Sequence, residues 1–287
     1  MNFHQKPKVY APTVELKVAN LERSLAFYQE VIGLKVMEHS TTNASLTADG
    51  VNVLIKLEQP DNVAPKNEQN TGLYHFALLV PTRKDLGIVL KHLIETRNPL
   101  QGGSDHLVSE AIYLADPDMN GIEIYADRPS ENWQWHNEYV VMDSKRLDVE
   151  GLLTLAEGED FTGLPSGTIM GHIHLQVSDL NSTEKFYCEG LGFDVVTKYG
   201  SQALFISTGR YHHHIGLNTW HSAGGVAPSD SSAGLKNFTL LYPSEEEKSV
   251  VVNRLKNMGA LVFVENGVTF TKDPSGITIQ LLVGNEK

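Results

Sequence analysis

Two stretches decide how this chain is organised: Val14–Val36, VELKVANLERSLAFYQEVIGLKV, and Ile173–Val195, IHLQVSDLNSTEKFYCEGLGFDV. They align without a gap, matching Leu21 with Leu180, Phe27 with Phe186, Tyr28 with Tyr187, Gly33 with Gly192 and Val36 with Val195. Each reads as a short alternating strand, a polar cap (Asn20 or Asp179), an amphipathic helix, a glycine just past its end and a second strand. A second repeat follows each of them: Gly72–Pro81, GLYHFALLVP, and Leu235–Pro243, LKNFTLLYP. Both lead into a capped helix, at Thr82-Arg83-Lys84-Asp85 and at Ser244 with Glu247 as a capping box. Both close on a strand introduced by an Asp-Pro turn, Asp116-Pro117 to Gly121 and Asp273-Pro274 to Gly276. The sequence therefore predicts four strand–helix–strand–strand–strand units, at 10–60, 72–128, 170–219 and 235–284. They fall into an N-terminal domain, 9–128, and a C-terminal domain, 169–284, joined by a connector, 129–168. The connector carries Trp133, Trp135 and a short helix around Asp148–Ala156.

Composition limits what such a chain does. Of its 287 residues, 41% are apolar and 20% charged, as in a folded globular protein. With 23 Lys and Arg against 35 Asp and Glu the formal charge is −12, the wrong sign for neutralising phosphates, so no nucleic-acid partner is expected. No apolar run approaches the roughly 20 residues that cross a bilayer, and the opening MNFHQKPKVYAP has no apolar signal core. Cys188 is the only cysteine, which rules out an intrachain disulfide and thiolate-built metal clusters, and a reducing cytoplasm is the expected compartment. Any metal site must then be built from carboxylates and the twelve histidines.

A unit of this form cannot bury its sheet face alone, so units pair into cups whose inner surface is a pocket. The pattern resembles the vicinal oxygen chelate superfamily, which includes glyoxalase I, bleomycin and fosfomycin resistance proteins and extradiol ring-cleaving dioxygenases. The resemblance covers nearly the whole chain. It implies an α+β fold of four βαβββ units pairing into two cupped half-barrels, with metal ligands on the first and last strands of a unit. The first-strand frame H-x-x-x-x-V gives His75 before Val80 and His172 before Val177, with Thr13 and Asn237 at the matching positions of units one and four. The last-strand frame G-x-E gives Glu123 after Gly121, against Thr278 after Gly276. Ligand-type residues thus collect in units two and three. For one pocket to hold them, unit two must pair with unit three across the connector, and unit one with unit four. His174 shares the face of His172 and stands as a rival ligand or a pocket wall, ranked below His172.

The run from His106 through Ile112-Tyr113 and Asp116-Pro117 to Glu123 is similar to the extradiol dioxygenase signature. It departs from that signature at Ser104 and at Met119, which replaces a turn glycine or proline. His213-His214-Ile215-Gly216-Leu217 is similar to the family's H-x-x-A/G-L, whose first His is the acid–base. Only that frame selects His213 over His212 and His214. The resemblance, to the catechol 2,3-dioxygenase kind within the family, implies Fe(II), with Mn(II) also admitted, on His75, Glu123 and His172. It further implies catalytic roles for His213, His106 and Tyr113, and a small aromatic diol and O2 as substrates. Two histidines and one carboxylate leave adjacent positions open on the ion, the set that non-haem Fe(II) oxygenases use. A homo-oligomer is compatible with this reading, and two other functions stay open. A glyoxalase-type lyase or isomerase would use a fourth protein ligand, which the carboxylate-free YHHHIGLNTW does not supply as an acid. A metal-free resistance-type binding protein would hold no stoichiometric metal.

Overall fold

The computed structural model describes residues 2–284, and its strands and helices follow the four-unit pattern. Unit one is β1 (Val14–Lys17), α1 (Leu21–Ala26), β2 (Lys35–His39), β3 (Asn43–Thr47) and β4 (Val53–Glu58). Unit two is β5 (Gly72–Leu79), α2 (Arg83–Glu95), β6 (Gly102–Asp105), β7 (Ser109–Ala115) and β8 (Gly121–Asp127). The connector adds β9 (Trp135–His136), β10 (Tyr139–Val140), β11 (Lys145–Arg146) and α3 (Val149–Leu155). Unit three is β12 (Ile169–Gln176), α4 (Leu180–Lys185), β13 (Asp194–Tyr199), β14 (Ala203–Ser207) and β15 (Ile215–Asn218). Unit four is β16 (Gly234–Tyr242), α5 (Glu245–Asn257), β17 (Val262–Glu265), β18 (Val268–Lys272) and β19 (Thr278–Val283). The caps read from sequence form: Asn20, Thr82, Asp179 and Ser244 each accept a backbone N–H of the first turn that would otherwise be unsatisfied.

The strands assemble across the connector. One sheet runs β17-β18-β19-β16-β1-β4-β3-β2, joining units four and one. The other runs β11-β6-β7-β8-β5-β12-β15-β14-β13, joining units two and three. The segments 9–128 and 169–284 are thus each split between the two sheets. The seam of the second sheet is the antiparallel pair β5–β12, which sets His75 opposite His174 and Ala77 opposite His172. The connector is more than a tether, because β11 pairs with β6 at that sheet's edge. Alternate residues of the central strands point away from the cup: Phe76, Leu78, Ile122, Ile124, Ile173 and Leu175 are all buried in one continuous apolar core. No helix among the described residues is long and apolar enough to cross a membrane.

One feature of the repeats has no counterpart in the helix pattern read from sequence. Both α1 and α4 widen into a π-helical turn, at Phe27–Val31 and Phe186–Gly190. From these turns the repeated tyrosines reach the repeated Asp-Pro turns. The Tyr28 hydroxyl donates to Asp116 at 2.9 Å, and that of Tyr187 to Asp273 at 3.2 Å. Each bond ties the helix of one unit to the last-strand turn of the next unit in sequence, which lies in the other sheet. Asp116 also accepts from the Asp118 and Asn120 backbone N–H groups, fixing the turn that launches β8 and Glu123.

Asp273 gives this tie a pH signature. Burial pushes its carboxyl up from the ordinary 3.8 to about 6, against hydrogen bonds from the Ile277 and Ser275 backbone and Tyr187. The folded state therefore binds this proton more tightly than the unfolded chain does. The stability it contributes is complete below about 3.8 and is lost as pH rises through about 6. Asp273→Asn, neutral at every pH and able to keep both backbone bonds, should gain on the unmodified protein by about 2–3 kcal/mol between pH 4 and 7. Urea unfolding at both pH values measures this, and parallel shifts of the two proteins would refute it.

Candidate metal centre

The cup of the second sheet is built in rows. Register places Tyr113 of β7 beside Glu123 of β8, Glu123 beside Ala77 of β5, and Ala77 beside His172 of β12. The adjacent row runs Gly121, His75, His174, Gly216. Side chains in one row project from the same face, so residues remote in sequence become neighbours. Small residues alternate with large ones. Ala77 leaves the gap across which Glu123 and His172 meet, and Gly121 lets β8 lie tightly against the strand that carries His75.

Within this cup His75, Glu123 and His172 converge, with ligand-type atoms all within 4.8 Å of one another. Glu123 Oε2 lies 3.0 Å from His75 Nε2 and 3.2 Å from His172 Nε2. All three are buried, at 7%, 3% and 1% exposure in that order. A carboxylate this deeply buried is costly without a cation. The donor set fits one. His75 Nε2 is buried beside Glu123 yet has no hydrogen-bond partner, so its approach to the carboxylate is not that of a satisfied N–H donor. Burial draws the His172 imidazole down to about 4, despite the opposing pull of Glu123, which keeps it neutral with a lone pair to share. Burial would raise the Glu123 carboxyl, but His172 and His75 outweigh it and hold the group well below the usual carboxylate range. The neutral His172 imidazole and the ionised Glu123 carboxylate are in the protonation states a divalent metal requires of them.

His174, the rival from sequence, stays outside this cluster. Its Nε2 accepts from the Asn218 amide at 3.0 Å, and its ring forms pocket wall. His213 lies in the turn before β15 rather than on the strand. Its ring lines the pocket with its centroid 4.1 Å from that of His172. His212 and His214 point elsewhere: His212 meets Asp127 at 2.8 Å, and His214 Nε2 donates to the Phe3 carbonyl. His106 and Tyr113 are joined at 2.7 Å, with their order of donation set by His106 Nδ1, which donates to the Asp143 carbonyl. That leaves His106 Nε2 as acceptor and the Tyr113 hydroxyl as donor to it, so the Tyr113 oxygen faces the cup with lone pairs free. Burial, and then the charge of Glu123, raise the Tyr113 phenol well above its ordinary value.

His75, His106, Tyr113, Glu123, His174 and His213 line one cavity of about 510 Å³, and His172 meets Glu123 at its wall without itself lining it. Sequence reading missed Tyr74, Trp220 and Phe205 in its aromatic wall. Tyr74 stands edge to face with His174 and Trp220, which are tilted against each other, all with ring centroids 5.1–5.5 Å apart, and Phe205 continues the wall beside His213. Trp133, by contrast, pins the connector to the rest of the protein, its indole N–H donating to the Val108 and Arg128 carbonyls and its ring stacking on Phe3. Met119, where the family signature has a turn glycine or proline, has φ of 63° and also lines the pocket. Cys188 takes no part, its thiol pushed up to about 12 by burial.

The other cup lacks such a cluster among the described residues. Thr13 donates to the Val53 carbonyl, and Asn237 donates to Glu15. Register also corrects the last-strand frame. Glu123 sits opposite Ala77, two beyond His75, so its counterpart is Gln280, opposite Thr239 and two beyond Asn237, rather than Thr278. It is neutral too.

Gly121 offers a test of this architecture. A Cβ there would come within 2.2 Å of the Tyr74 carbonyl oxygen and 3.0 Å of His75 Cβ, contacts with backbone that cannot simply rotate away. Gly121→Ala should force β5 and β8 apart, lowering stability by about 1–3 kcal/mol. Metal affinity should drop on the order of 10–100-fold, as for loss of a group that orients a ligand. Competition with a chelator reads the affinity, and unchanged binding would show that this spacing does not matter.

The model of the Glyoxalase/Bleomycin resistance protein/Dioxygenase superfamily matches residues 11–124 and 169–281. The chain is 47% identical over 273 residues to catechol-2,3-dioxygenase of Bacillus subtilis (strain 168), covering 94% of this chain and 95% of that protein. Among solved structures it resembles a putative dioxygenase from Bacillus subtilis subsp. subtilis str. 168, at a TM-score of 0.66, 14% identity, and coverage of 98% and 87% of the two chains. It also resembles glyoxalase I from Zea mays, at a TM-score of 0.60, 15% identity, and coverage of 96% and 92%. At such identities these two likenesses speak to the fold alone. With both matched segments in place, the chain belongs to the glyoxalase/bleomycin resistance protein/dioxygenase superfamily.

Proposed function

We propose that the pocket binds a catechol and opens its ring with O2 at an Fe(II) held by His75, Glu123 and His172. The protein is then an extradiol dioxygenase, an oxidoreductase, in keeping with the name of its 47% identical relative. The observation that carries the reading is the buried cluster of two histidines and one glutamate beside an aromatic-lined cavity. Among the described residues no second carboxylate and no cysteine joins the cluster as a fourth ligand, which favours a site with open positions over a closed four-ligand site.

When bound, the iron would supply open coordination positions for both diol oxygens and O2, together with a path for electrons between them. The chain supplies the rest. Tyr74, His174 and Trp220 form a wall against which a planar ring packs, excluding water from the site. Tyr113, its hydroxyl donating a hydrogen bond to His106, accepts one from a diol hydroxyl and so orients the ring. His213, on the His172 side, takes a proton from the substrate and later returns it to the departing oxygen as a general acid.

Anaerobic reconstitution with Fe(II), followed by catechol and then air, tests the reaction class. A yellow ring-fission product is expected. Iron bound at one per chain with no product across a panel of catechols would remove this reading.

A further inference from the structure

We infer that Asp127 and His212 are positioning residues, forming a partly buried hydrogen-bond relay that presents His213 to the pocket as its Nδ1–H tautomer, with Nε2 bare. The inference rests on the role proposed for His213, but the relay is a property of the fold that can be read without turnover. His212 Nε2 lies 2.8 Å from Asp127 Oδ1, and His212 Nδ1 lies 2.9 Å from His213 Nδ1. Asp127 stands four residues beyond Glu123 at the end of β8, and His212 is wholly buried.

The direction of each bond follows from what each group is able to give. A carboxylate only accepts, so His212 Nε2 carries the proton that points to Asp127. Where that is the only proton His212 carries, its Nδ1 has a lone pair, and the bond to His213 forms only if His213 Nδ1 is the donor. Neutral His213 is left with an unprotonated Nε2, which has no hydrogen-bond partner among the described residues and belongs to a ring that lines the cavity. The group facing the substrate therefore starts as an acceptor, ready to take a proton before it gives one back. Free imidazole has no such restriction between its two tautomers.

The rest of the surroundings hold the relay in place. The Tyr211 hydroxyl donates to Asp127 Oδ1 at 3.3 Å and is itself 2.6 Å from the Tyr125 hydroxyl. The His212 ring sits between Tyr211 and Trp133, with centroids 4.1 and 5.1 Å away. Its neighbour His214 is committed to the Phe3 carbonyl through Nε2 and is no competitor for either bond. Adjacent histidines thus have separate tasks: His213 meets the pocket, His212 sets its tautomer, and His214 anchors the N-terminal segment.

The first test is long-range 1H–15N NMR on the whole chain loaded with diamagnetic Zn(II), with His213 assigned by the signals lost in His213→Ala. His213 should show a protonated Nδ1 and a bare Nε2, and protonated Nε2 in the unmodified protein would overturn the relay. The second test is kinetic, on the iron-loaded enzyme. His212→Phe keeps ring volume but removes the acceptor, and Asp127→Ala removes the anchor. Each should lower kcat on the order of 10–100-fold, as supporting hydrogen bonds do, with KM for catechol and iron content within about twofold of the unmodified protein, the margin that separates positioning from binding. His212→Asn, whose amide oxygen can take the place of Nδ1, should recover part of the loss. An unchanged kcat in both His212→Phe and Asp127→Ala would overturn the positioning role. If no catechol is turned over by any form, the functional reading fails while the tautomer measurement still decides the relay.

Discussion

Glu123→Gln is expected to leave a folded protein that holds almost no iron and has no measurable dioxygenase activity. The carboxylate is 3% exposed, and one of its oxygens lies within 3.2 Å of a nitrogen on each imidazole. Gln is nearly the same shape but neutral, so the ion would lose the only negative charge in the cluster. Removing one partner of a buried charge pair costs about 3–5 kcal/mol, on the order of a thousandfold in affinity. The metal-free protein should lose stability as well. Without a cation, the neighbouring imidazoles still outweigh the cost of burying the ionised carboxylate, and neutral Gln gives up that stabilisation. The unmodified protein should also gain Tm on adding Fe(II), because the ion binds the folded state alone. The variant should gain nothing from Fe(II), and without metal should melt below the unmodified protein. Iron content and Tm with and without Fe(II) check both effects. Stoichiometric iron in Glu123→Gln would show that Glu123 is not a ligand.

What the sequence made legible follows from what repeats and what does not. The repeated Phe-Tyr and Asp-Pro positions gave the units, because each unit repeats the same strand and helix periods and the same caps. The pairing of unit two with unit three was reachable only through chemistry: His75 and His172 stand in equivalent frames, and one pocket must hold both. Strand register was not legible, and it is what places Ala77 between Glu123 and His172 and makes Gln280, rather than Thr278, the counterpart of Glu123. A shift of two residues keeps the same face, so face alternation alone could not separate those positions. The π-helical turns were equally hidden, since the helix and its widened turn share one apolar pattern. Tyr74 and Trp220 carry no motif and become pocket wall only when β5 and the turn after β15 come together. Asp127 and His212 were unreadable for a different reason. Hydrogen bonds between side chains 85 positions apart leave no local trace.

His213→Ala separates catalysis from metal binding. The His213 ring lines the cavity beside His172 but is absent from the three-residue cluster around Glu123, so its loss removes no ligand. Iron content should stay near one per chain and KM for catechol should change little. The aromatic wall of Tyr74, His174 and Trp220 and the Tyr113 oxygen remain to hold the ring. Turnover should fall on the order of 10²–10⁴-fold, the usual contribution of a positioned acid–base group. A fall in kcat with KM preserved is the mark of an interaction made in the transition state rather than in substrate binding. The size of the loss also ranks this residue against its neighbours, since His212→Phe leaves the His213 ring present but free to take either tautomer and should cost less. Loss of iron from His213→Ala would move the residue into the metal's own ligand set. Undiminished kcat would transfer the proton chemistry to Tyr113 and His106, the other titratable pair in the cup, joined to each other at 2.7 Å.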